Sequence, residues 1–447
     1  MKTMKKLPYL ITLLVLTSCT ILTREAIYWD ADIDDYKVFP TYDFKENNKK
    51  YSFCPKKVNL LDTMLFKNAK GEKETLDELL KGTKTSQFIV IQNDTILYEG
   101  NFNGYKRSDY TTLFSISKSV TSLLVGIAID EGLIESVNDT ITKYVPELRN
   151  KAPEFNELTI KQLLNMQAGL DFNENYSSPL SDMARLYYGT NQLGKLKRMK
   201  FAHKPGTYHT YQSAQTALLG IVVEKVTGKN LGEYFEEKVW KPLQMENKGS
   251  WSLDDKRHRS AKSYCGLNLS AIDLAKIGRL YLNKGKFKDQ QIVSENWIDA
   301  TLTNYPKNNN YNYQWYNGFI AGTDEEGIPY FTDSLQALKR YENVYANKRY
   351  NTSYYIFKSC IKDWTNKKYI KYCQKHYNWT DINECRWELS VLTGRFQTLG
   401  IMHQILYIDP IKNIIIVRLG ETDYSNYKHG RYENLMEEIM NALPPND

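Results

Sequence analysis

Apolar residues near both ends of the chain follow the β-branched, alternating pattern of strands. Residues 87–92 and 95–100 are two such runs, separated by an Asn-Asp pair that is typical of a hairpin turn. Residues 404–409 and 413–419 form a second pair, joined through an Asp-Pro turn. Because two strands come early and two come late, the pattern predicts one antiparallel sheet that is assembled from both ends of the chain.

Between these pairs, apolar residues recur at the three- and four-residue spacing of helices with one buried face. The predicted helices comprise residues 119–133, 158–166, 217–226, 270–282 and 432–443. The third is followed by a Thr-Gly stop, and the fourth opens with Ser270 and Asp273 spaced as in a capping box. Helices inserted into an antiparallel sheet predict the α+β class.

The chain is predicted to form one catalytic unit at residues 81–447, preceded by a tether and N-terminal cap at 20–80. Residues 317–392 differ from their surroundings, since they are rich in Tyr, Lys and Asn, hold three of the six cysteines and show no hairpin repeat. We interpret residues 317–392 as an insertion into the catalytic unit.

Composition limits the class of partner. At 447 residues and 42% hydrophobic, the chain has enough apolar material for a large core. Its 59 basic and 52 acidic residues give a net charge of +7, but no short window collects Lys and Arg with interleaved aromatic residues. The sequence therefore argues against a nucleic-acid partner, and it leaves the oligomeric state open.

The first 19 residues have the pattern of an export signal. Lys2, Lys5 and Lys6 precede an apolar run at 7–16 that is too short to span a bilayer. The run ends in Leu-Thr-Ser-Cys, which resembles a bacterial lipobox with Cys19 as the lipidated residue. The alternative is an ordinary signal peptide that contains a cysteine. The lipobox predicts an exported bacterial lipoprotein that is anchored in a membrane and faces the periplasm or the cell surface.

A candidate nucleophile lies where the first long helix begins. Residues 115–118 read Ser-Ile-Ser-Lys, and side chains at i and i+3 project from one face of a helical turn. A serine needs a base that takes its proton, and Lys118 is placed to be that base for Ser115. The positive end of the helix dipole helps to lower the Lys118 pKa, and it offers the Ser115 N–H as an oxyanion donor.

The same four-residue spacing recurs at Ser359 and Lys362. Context separates the two, because Ser115 follows a predicted hairpin and opens an apolar helix, whereas Ser359 lies in the predicted insertion. The alternative interpretation of Ser115 is a helix-capping serine beside a solvated lysine.

Tyr211 is the candidate for a second proton-transfer group. It lies in a loop before a predicted helix, and a phenol near an ammonium loses its proton more readily than in water. Tyr176 and Tyr341 begin the same Tyr-x-Ser/Asn pattern, so spacing alone leaves the choice open.

Several motifs in order resemble the serine β-lactamase and penicillin-binding-protein superfamily. They are Phe-Ser-Ile-Ser-Lys-Ser at 114–119, Pro-Gly-Thr at 205–207 with Leu-Leu-Gly at 218–220, Val-Thr-Gly-Lys at 226–229, and the stretch 266–282. The resemblance covers about residues 88–419 outside the insertion, and it looks most like the class C-like branch with its esterases and 6-aminohexanoate-dimer hydrolases. It implies an antiparallel β-sheet flanked by helices, an all-helical region, and an active site between them.

The resemblance implies that Ser115 attacks a carbonyl, that Lys118 and Tyr211 share the proton transfers, and that water hydrolyses the acyl-enzyme. Ser213 stands where the family often has Asn, as in the esterase and amide-hydrolase relatives. Ser213 and Gly400 are candidate cleft residues, and so is Trp315, which precedes the insertion.

The third motif of the family departs from its pattern. A Lys or His, a small residue and Gly should fall near 398–404, but this chain reads Gly-Ile-Met-His-Gln at 400–404. The missing lysine opposes penicillin recognition and peptidoglycan cleavage. The His403 N–H is predicted as the second oxyanion donor, since a backbone donor does not depend on the side chain.

The sequence predicts no metal site and no cofactor. The six histidines form no H-E-x-x-H pattern, and the cysteines lack CxxC spacing. A P-loop, a dinucleotide fingerprint and a G-x-S-x-G motif are also missing from the sequence.

These patterns predict a lipoprotein serine hydrolase that forms an acyl-enzyme on Ser115 and cleaves a small ester or unstrained amide. One alternative is a β-lactamase or D,D-carboxypeptidase, which the family favours and the altered third motif opposes. Another is a non-catalytic binding lipoprotein that presents residues 317–392 to a partner. The joint presence of Ser115, Lys118 and Tyr211 opposes this second alternative.

We expect Cys19 to anchor the mature protein. Expressed in a bacterial host, the full chain should partition into a detergent-rich phase and C19S into the aqueous phase, because two acyl chains give stable anchoring that an unmodified N-terminus lacks. Phase partition and mass analysis of the N-terminal peptide measure this, with C54S as the matched control. A C19S chain that stays in the detergent phase would contradict the lipobox interpretation.

Overall fold

The computed structural model describes residues 31–55, 59–67, 72–302, 311–322, 334–342, 354–360, 385–421 and 432–443. The predicted export signal, with Cys19, lies outside these residues. Within the described residues, no helix combines the length and the apolar character needed to cross a membrane.

Strands of the described chain form one large sheet and three smaller ones. In chain order they are β1 (Thr41–Asp43), β2 (Cys54–Pro55), β3 (Leu65–Lys67), β4 (Lys73–Thr75), β5 (Thr85–Gln92), β6 (Thr95–Asn101), β7 (Thr111–Thr112), β8 (Ser250–Ser252), β9 (Leu267–Leu269), β10 (Lys286–Phe287), β11 (Gln290–Gln291), β12 (Tyr311–Asn312), β13 (Trp315–Gly322), β14 (Tyr354–Cys360), β15 (Cys385–Gly400), β16 (Gln404–Asp409) and β17 (Ile414–Gly420). The large sheet has the order β12-β13-β15-β16-β17-β5-β6-β2, and β14 also pairs with β15. Its pairs are antiparallel except for the parallel pair β2–β6.

The α-helices of the described chain lie mostly between the early and the late strands. They are α1 (Asn59–Thr63), α2 (Leu76–Gly82), α3 (Ile116–Asp130), α4 (Ile141–Tyr144), α5 (Ile160–Leu164), α6 (Asp182–Tyr188), α7 (Gln192–Leu196), α8 (Ser213–Thr227), α9 (Leu231–Phe235), α10 (Ala271–Leu282), α11 (Glu295–Leu302), α12 (Ser334–Arg340) and α13 (Tyr432–Ala442). The predicted stop after α8 is present, because Gly228 adopts a left-handed conformation with φ of 65°. The five predicted helices are all found, with ends shifted by a few residues.

Strands β5 and β17 join the two ends of the chain. They pair in antiparallel register, with Ile414 opposite Gln92. The turn of the β5–β6 hairpin places Asn93 and Asp94 at positive φ, which these two residue types tolerate. The predicted α+β fold, with an antiparallel sheet built from both chain ends, is confirmed.

Alternate side chains of β5 enter two hydrophobic cores on opposite faces of the sheet. Ile89 and Ile91 belong to the larger core, which also contains the buried faces of α3, α8 and α10. Phe88 and Val90 pack in the smaller core with α2 and α13. Helices α3 and α8 therefore pack on the face of the sheet that carries the larger core.

The described part of the predicted tether and cap packs against the catalytic unit. Strand β1 pairs with β8, and β2 pairs with β6. Phe39, Phe44 and Phe53 from this segment are buried in the larger core. From residue 31 onward, the described segment therefore belongs to the folded body.

The predicted insertion at 317–392 is joined to the large sheet. Most of β13, all of β14 and the first half of β15 fall within it, and β15 pairs with both of the others. The described parts of this segment are thus strands of the large sheet, and its interpretation as an insertion stays a prediction. Polar and apolar residues are mixed along these strands, so the two-residue period that marks a half-buried strand is weak there.

A glycine of α3 allows close contact with α11. A Cβ at Gly126 would lie 2.5 Å from ring atoms of Trp297. We therefore expect G126V to lower the free energy of unfolding by about 1–3 kcal/mol, because an overpacked core must shift. Urea unfolding of purified protein measures this.

The matched control for this prediction is G82A at the end of α2, where a Cβ would meet nothing within 4 Å. This variant should match the wild type or gain about 0.4–1 kcal/mol. Equal unfolding midpoints for G126V and the wild type would contradict the packing argument.

Candidate active site

Ser115 is presented by a turn in an uncommon conformation. Phe114, directly before it, has φ of 48°, in the left-handed region that bulky residues rarely adopt. Hydrogen bonds hold this turn against β9, because Leu113 N–H donates to Leu267 O at 2.9 Å and Leu267 N–H donates to Ser117 Oγ at 3.0 Å. In the described structure the Ser115 hydroxyl does not cap α3, so it is available for other contacts.

Lys118 lies one turn into α3 and is withdrawn from water, with 1% of the residue exposed. Its Nζ donates to Ser115 Oγ and to the Tyr264 carbonyl, each at 3.0 Å. Burial lowers the pKa of Lys118 to about 8, although the negative charge of Glu174 acts in the opposite direction. An amine with this pKa is partly neutral near pH 7 and can accept a proton.

The Tyr211 phenol interacts with the Ser115 hydroxyl, and Lys118 Nζ lies 5.0 Å from the centroid of the Tyr211 ring. Burial raises the pKa of Tyr211 well above its usual value, and the interaction with Ser115 offsets only part of this rise. The raised pKa keeps Tyr211 neutral at ordinary pH, and its role in proton transfer stays a prediction.

Two glutamine side chains fix the loop that carries Tyr211. Gln212 Nε2 donates to Leu170 O at 3.0 Å, which ties the loop to the segment before α6. Gln215 Nε2 donates to Thr210 O at 2.8 Å and holds the loop onto the first turn of α8. The position of Tyr211 thus depends on buried amide groups on both sides of it.

Glu174 is a residue of the site that sequence analysis missed. Its carboxylate accepts the Ser213 N–H at 2.8 Å, the Ser213 hydroxyl at 2.6 Å and the Tyr176 hydroxyl at 2.7 Å. Both donors of Ser213 are therefore used by Glu174, and the proposed contact of Ser213 with substrate stays a prediction. Glu174 lies in a polar loop without periodicity or motif, so the sequence offers no signal for it.

Gly400 ends β15 directly beside the turn of the nucleophile. A Cβ at Gly400 would lie 2.4 Å from the Leu113 carbonyl, so the close approach requires a glycine. His403 lies three residues later with φ of 57°, and its carbonyl accepts from Arg418 Nη1 at 3.1 Å. Burial and the Arg418 charge lower the pKa of His403 to about 4. Its N–H as an oxyanion donor stays a prediction.

The prediction that Trp315 lines the cleft is wrong. Trp315 is fully buried, and its indole N–H donates to the Tyr281 hydroxyl at 3.0 Å. Its ring centroid lies 4.3 Å from that of Tyr281 and 5.4 Å from that of Phe396. A large aromatic ring gains more from this packing than from the edge of a cleft, which explains the difference.

The second Ser-x-x-Lys pattern lies in a different environment. Ser359 is within β14 and pairs with Arg386 of β15. Ser359 is a strand residue and does not open a helix, as Ser115 does. Lys362 lies outside the described residues.

Among the described residues, Asp254, Asp255 and His258 form a group whose possible metal-ligating atoms lie within 4.8 Å of one another. The Asp254 oxygens already accept backbone N–H groups of Gln192, Asp255 and Ser260. His258 pairs with Asp255 at 2.6 Å. These contacts explain the cluster as a loop brace.

Comparison with protein families gives a match that covers most of the chain. The model of the family described as "Beta-lactamase" matches residues 73–437. The 6-aminohexanoate-dimer hydrolase of Paenarthrobacter ureafaciens is 29% identical over 238 residues, which are 51% of this chain and 59% of that protein. A "Putative D-alanyl-D-alanine carboxypeptidase" of Escherichia coli K12 is 25% identical over 184 residues, 36% of this chain and 42% of that protein. The alignments thus span less than two thirds of these relatives.

Solved structures resemble this fold over a larger part of the chain. The "Putative 6-aminohexanoate-dimer hydrolase from Bacillus anthracis" superposes with a TM-score of 0.64 and 23% identity, over 91% of this chain and 92% of that one. At this identity the likeness concerns the fold. It agrees with the sheet and the helical region described above.

Proposed function

Because the chain belongs to the β-lactamase family and is a hydrolase, we propose that it forms an acyl-enzyme on Ser115 and cleaves small esters or unstrained amides. The observation that carries the proposal is the 3.0 Å contact between a buried lysine amine and the hydroxyl of Ser115. The lipobox at Cys19 supports an activity outside the cytoplasm at a membrane.

The acylation step follows from the contacts of Ser115. Neutral Lys118 Nζ takes the hydroxyl proton while Oγ forms a bond to the carbonyl carbon of the substrate. The tetrahedral intermediate then breaks its bond to the leaving alcohol or amine. The proton passes from the Lys118 ammonium to that leaving group, with the neutral Tyr211 hydroxyl as the relay.

The charge of the tetrahedral intermediate needs donors that are already in place. The Ser115 N–H, at the start of α3, is one of them. The His403 N–H is the candidate for the second, since the end of β15 at Gly400, three residues before it, lies against the turn before Ser115. Water then attacks the acyl-enzyme with the same groups acting in reverse.

Two features favour simple esters and linear amides over β-lactams. The third motif at 400–404 lacks the lysine that binds a substrate carboxylate in the family. The relative with 29% identity is named for hydrolysis of a linear amide, the 6-aminohexanoate dimer. A substrate of that kind has no carboxylate next to the scissile bond, so its binding does not require this lysine.

We expect S115A to lose at least about 10³-fold in turnover of p-nitrophenyl acetate, since no other group supplies the nucleophile. A fluorophosphonate probe should label Ser115, as located by mass mapping. The linear 6-aminohexanoate dimer should be cleaved faster than nitrocefin or a D-alanyl-D-alanine peptide.

The control variant is S359A, which should keep wild-type turnover. Full turnover by S115A, or a label on Ser359, would overturn the site assignment. Faster hydrolysis of nitrocefin than of the ester and the linear amide would instead move the proposal to a β-lactamase.

The pKa of Lys118, lowered to about 8 by burial, predicts the pH dependence of the reaction. The base must be neutral, so kcat/KM should rise with pH and level off above about 8, and at pH 7 only about a tenth of the amine is neutral. Ester hydrolysis between pH 6 and 10, corrected for the spontaneous rate, measures this. A profile that is flat from pH 6.5 to 9 would contradict a role for Lys118 as base.

A further inference from the structure

The carboxylate of Glu174 joins two segments that are distant in sequence. Oε2 accepts the Ser213 N–H, and Oε1 accepts the hydroxyls of Ser213 and Tyr176. An ionised carboxylate, which accepts at both oxygens, matches these three donors. Ser213 is the first residue of α8, where a negative charge also interacts favourably with the helix dipole.

This contact lies two residues from Tyr211. The segment between them is held by Gln212, whose side chain binds the carbonyls of Leu170 and Phe172. Glu174 follows Phe172 in the same loop. The Glu174 carboxylate and the Gln212 amide therefore both hold this loop against the start of α8. A shift of these contacts would move the Tyr211 phenol relative to Ser115.

The groups that act on Lys118 differ in their charge. Nζ contacts the Ser115 hydroxyl, the Tyr264 carbonyl and the rings of Tyr211 and Tyr264. The Cys265 thiol and the Glu174 carboxylate act on it electrostatically. Burial raises the pKa of Tyr211 and of Tyr264 well above the usual value, and it raises the pKa of Cys265 to about 12. These three groups are therefore neutral between pH 6 and 9. Of the described charges that act on Lys118, that of Glu174 has the largest effect.

We infer that Glu174 is a positioning residue of this reaction, which holds Tyr211 in place through Ser213 and stabilises the ammonium that forms on Lys118. The inference rests on the proposed function, because the ammonium appears when the Ser115 proton moves to Lys118 Nζ. The negative charge of Glu174 then favours this ammonium until the proton leaves with the alcohol or amine. Glu174 acts through other residues and does not itself exchange a proton with substrate.

The test compares pH profiles of kcat/KM and kcat for ester hydrolysis by four purified proteins: wild type, E174Q, E174D and D171N. E174Q removes the charge, so the acid limb of the kcat/KM profile, where the rate rises with pH, should move to lower pH. The plateau of kcat should fall roughly tenfold, which is a fraction of the rate that a general base supplies. E174D keeps the charge but has a shorter side chain that does not reach Ser213 in the same way. Its acid limb should therefore stay near that of the wild type, while its plateau of kcat should fall. Thermal unfolding verifies that each variant is folded.

D171N is the matched control, since Asp171 is an exposed carboxylate in the same loop. It should leave both the limb and the plateau unchanged. A limb of E174Q that coincides with the wild-type limb would overturn the inference, and so would an equal shift in D171N. These results differ from a failure of the proposed function, in which the wild type has no acid limb or S115A stays active.

Discussion

The removal of Lys118 from water is the interaction on which the whole site depends. A solvated lysine is an ammonium at neutral pH and takes no proton from a serine, whereas burial lowers the pKa of this one to about 8. The fold keeps the buried amine from being unsatisfied, because Ser115 Oγ and the Tyr264 carbonyl both accept from it. In the proposed mechanism, packing lowers the pKa of this amine far enough for it to act as the base.

The fold explains how groups that are distant in sequence reach this amine. The pairing of β5 with β17 joins the early and the late strands into one sheet, and α3 packs in the larger core on one face of that sheet. The end of β15 then touches the turn before Ser115, and Gly400 permits the contact because it has no side chain. The loop before α8, between the early and the late strands in sequence, supplies Tyr211. Strand pairing and helix packing thus bring Tyr211 and the end of β15 to the Ser115–Lys118 pair, which is itself local in sequence.

Local sequence patterns predicted much of this arrangement. The hairpin at Asn93 and Asp94, the stop at Gly228 and the placement of Lys118 one turn after Ser115 each depend on neighbouring residues, so the sequence contains the information. Glu174 could not be predicted, because its role arises from a contact across 39 residues with a helix start. Trp315 was misjudged for a related reason. Whether an aromatic residue faces a cleft or the core depends on its tertiary neighbours.

The end of β15 also bears on what the site can recognise. Around this strand end in the described structure, the buried cation is Arg418, and its guanidinium donates to the carbonyls of Thr83, Met402 and His403. Its charge is thus directed at the backbone and holds the segment after Gly400 in its left-handed turn. A cation used in this way orders the strand end but leaves a substrate carboxylate without a partner from that side chain. This use of Arg418 supports the proposal that the site takes a neutral acyl group rather than an anionic one.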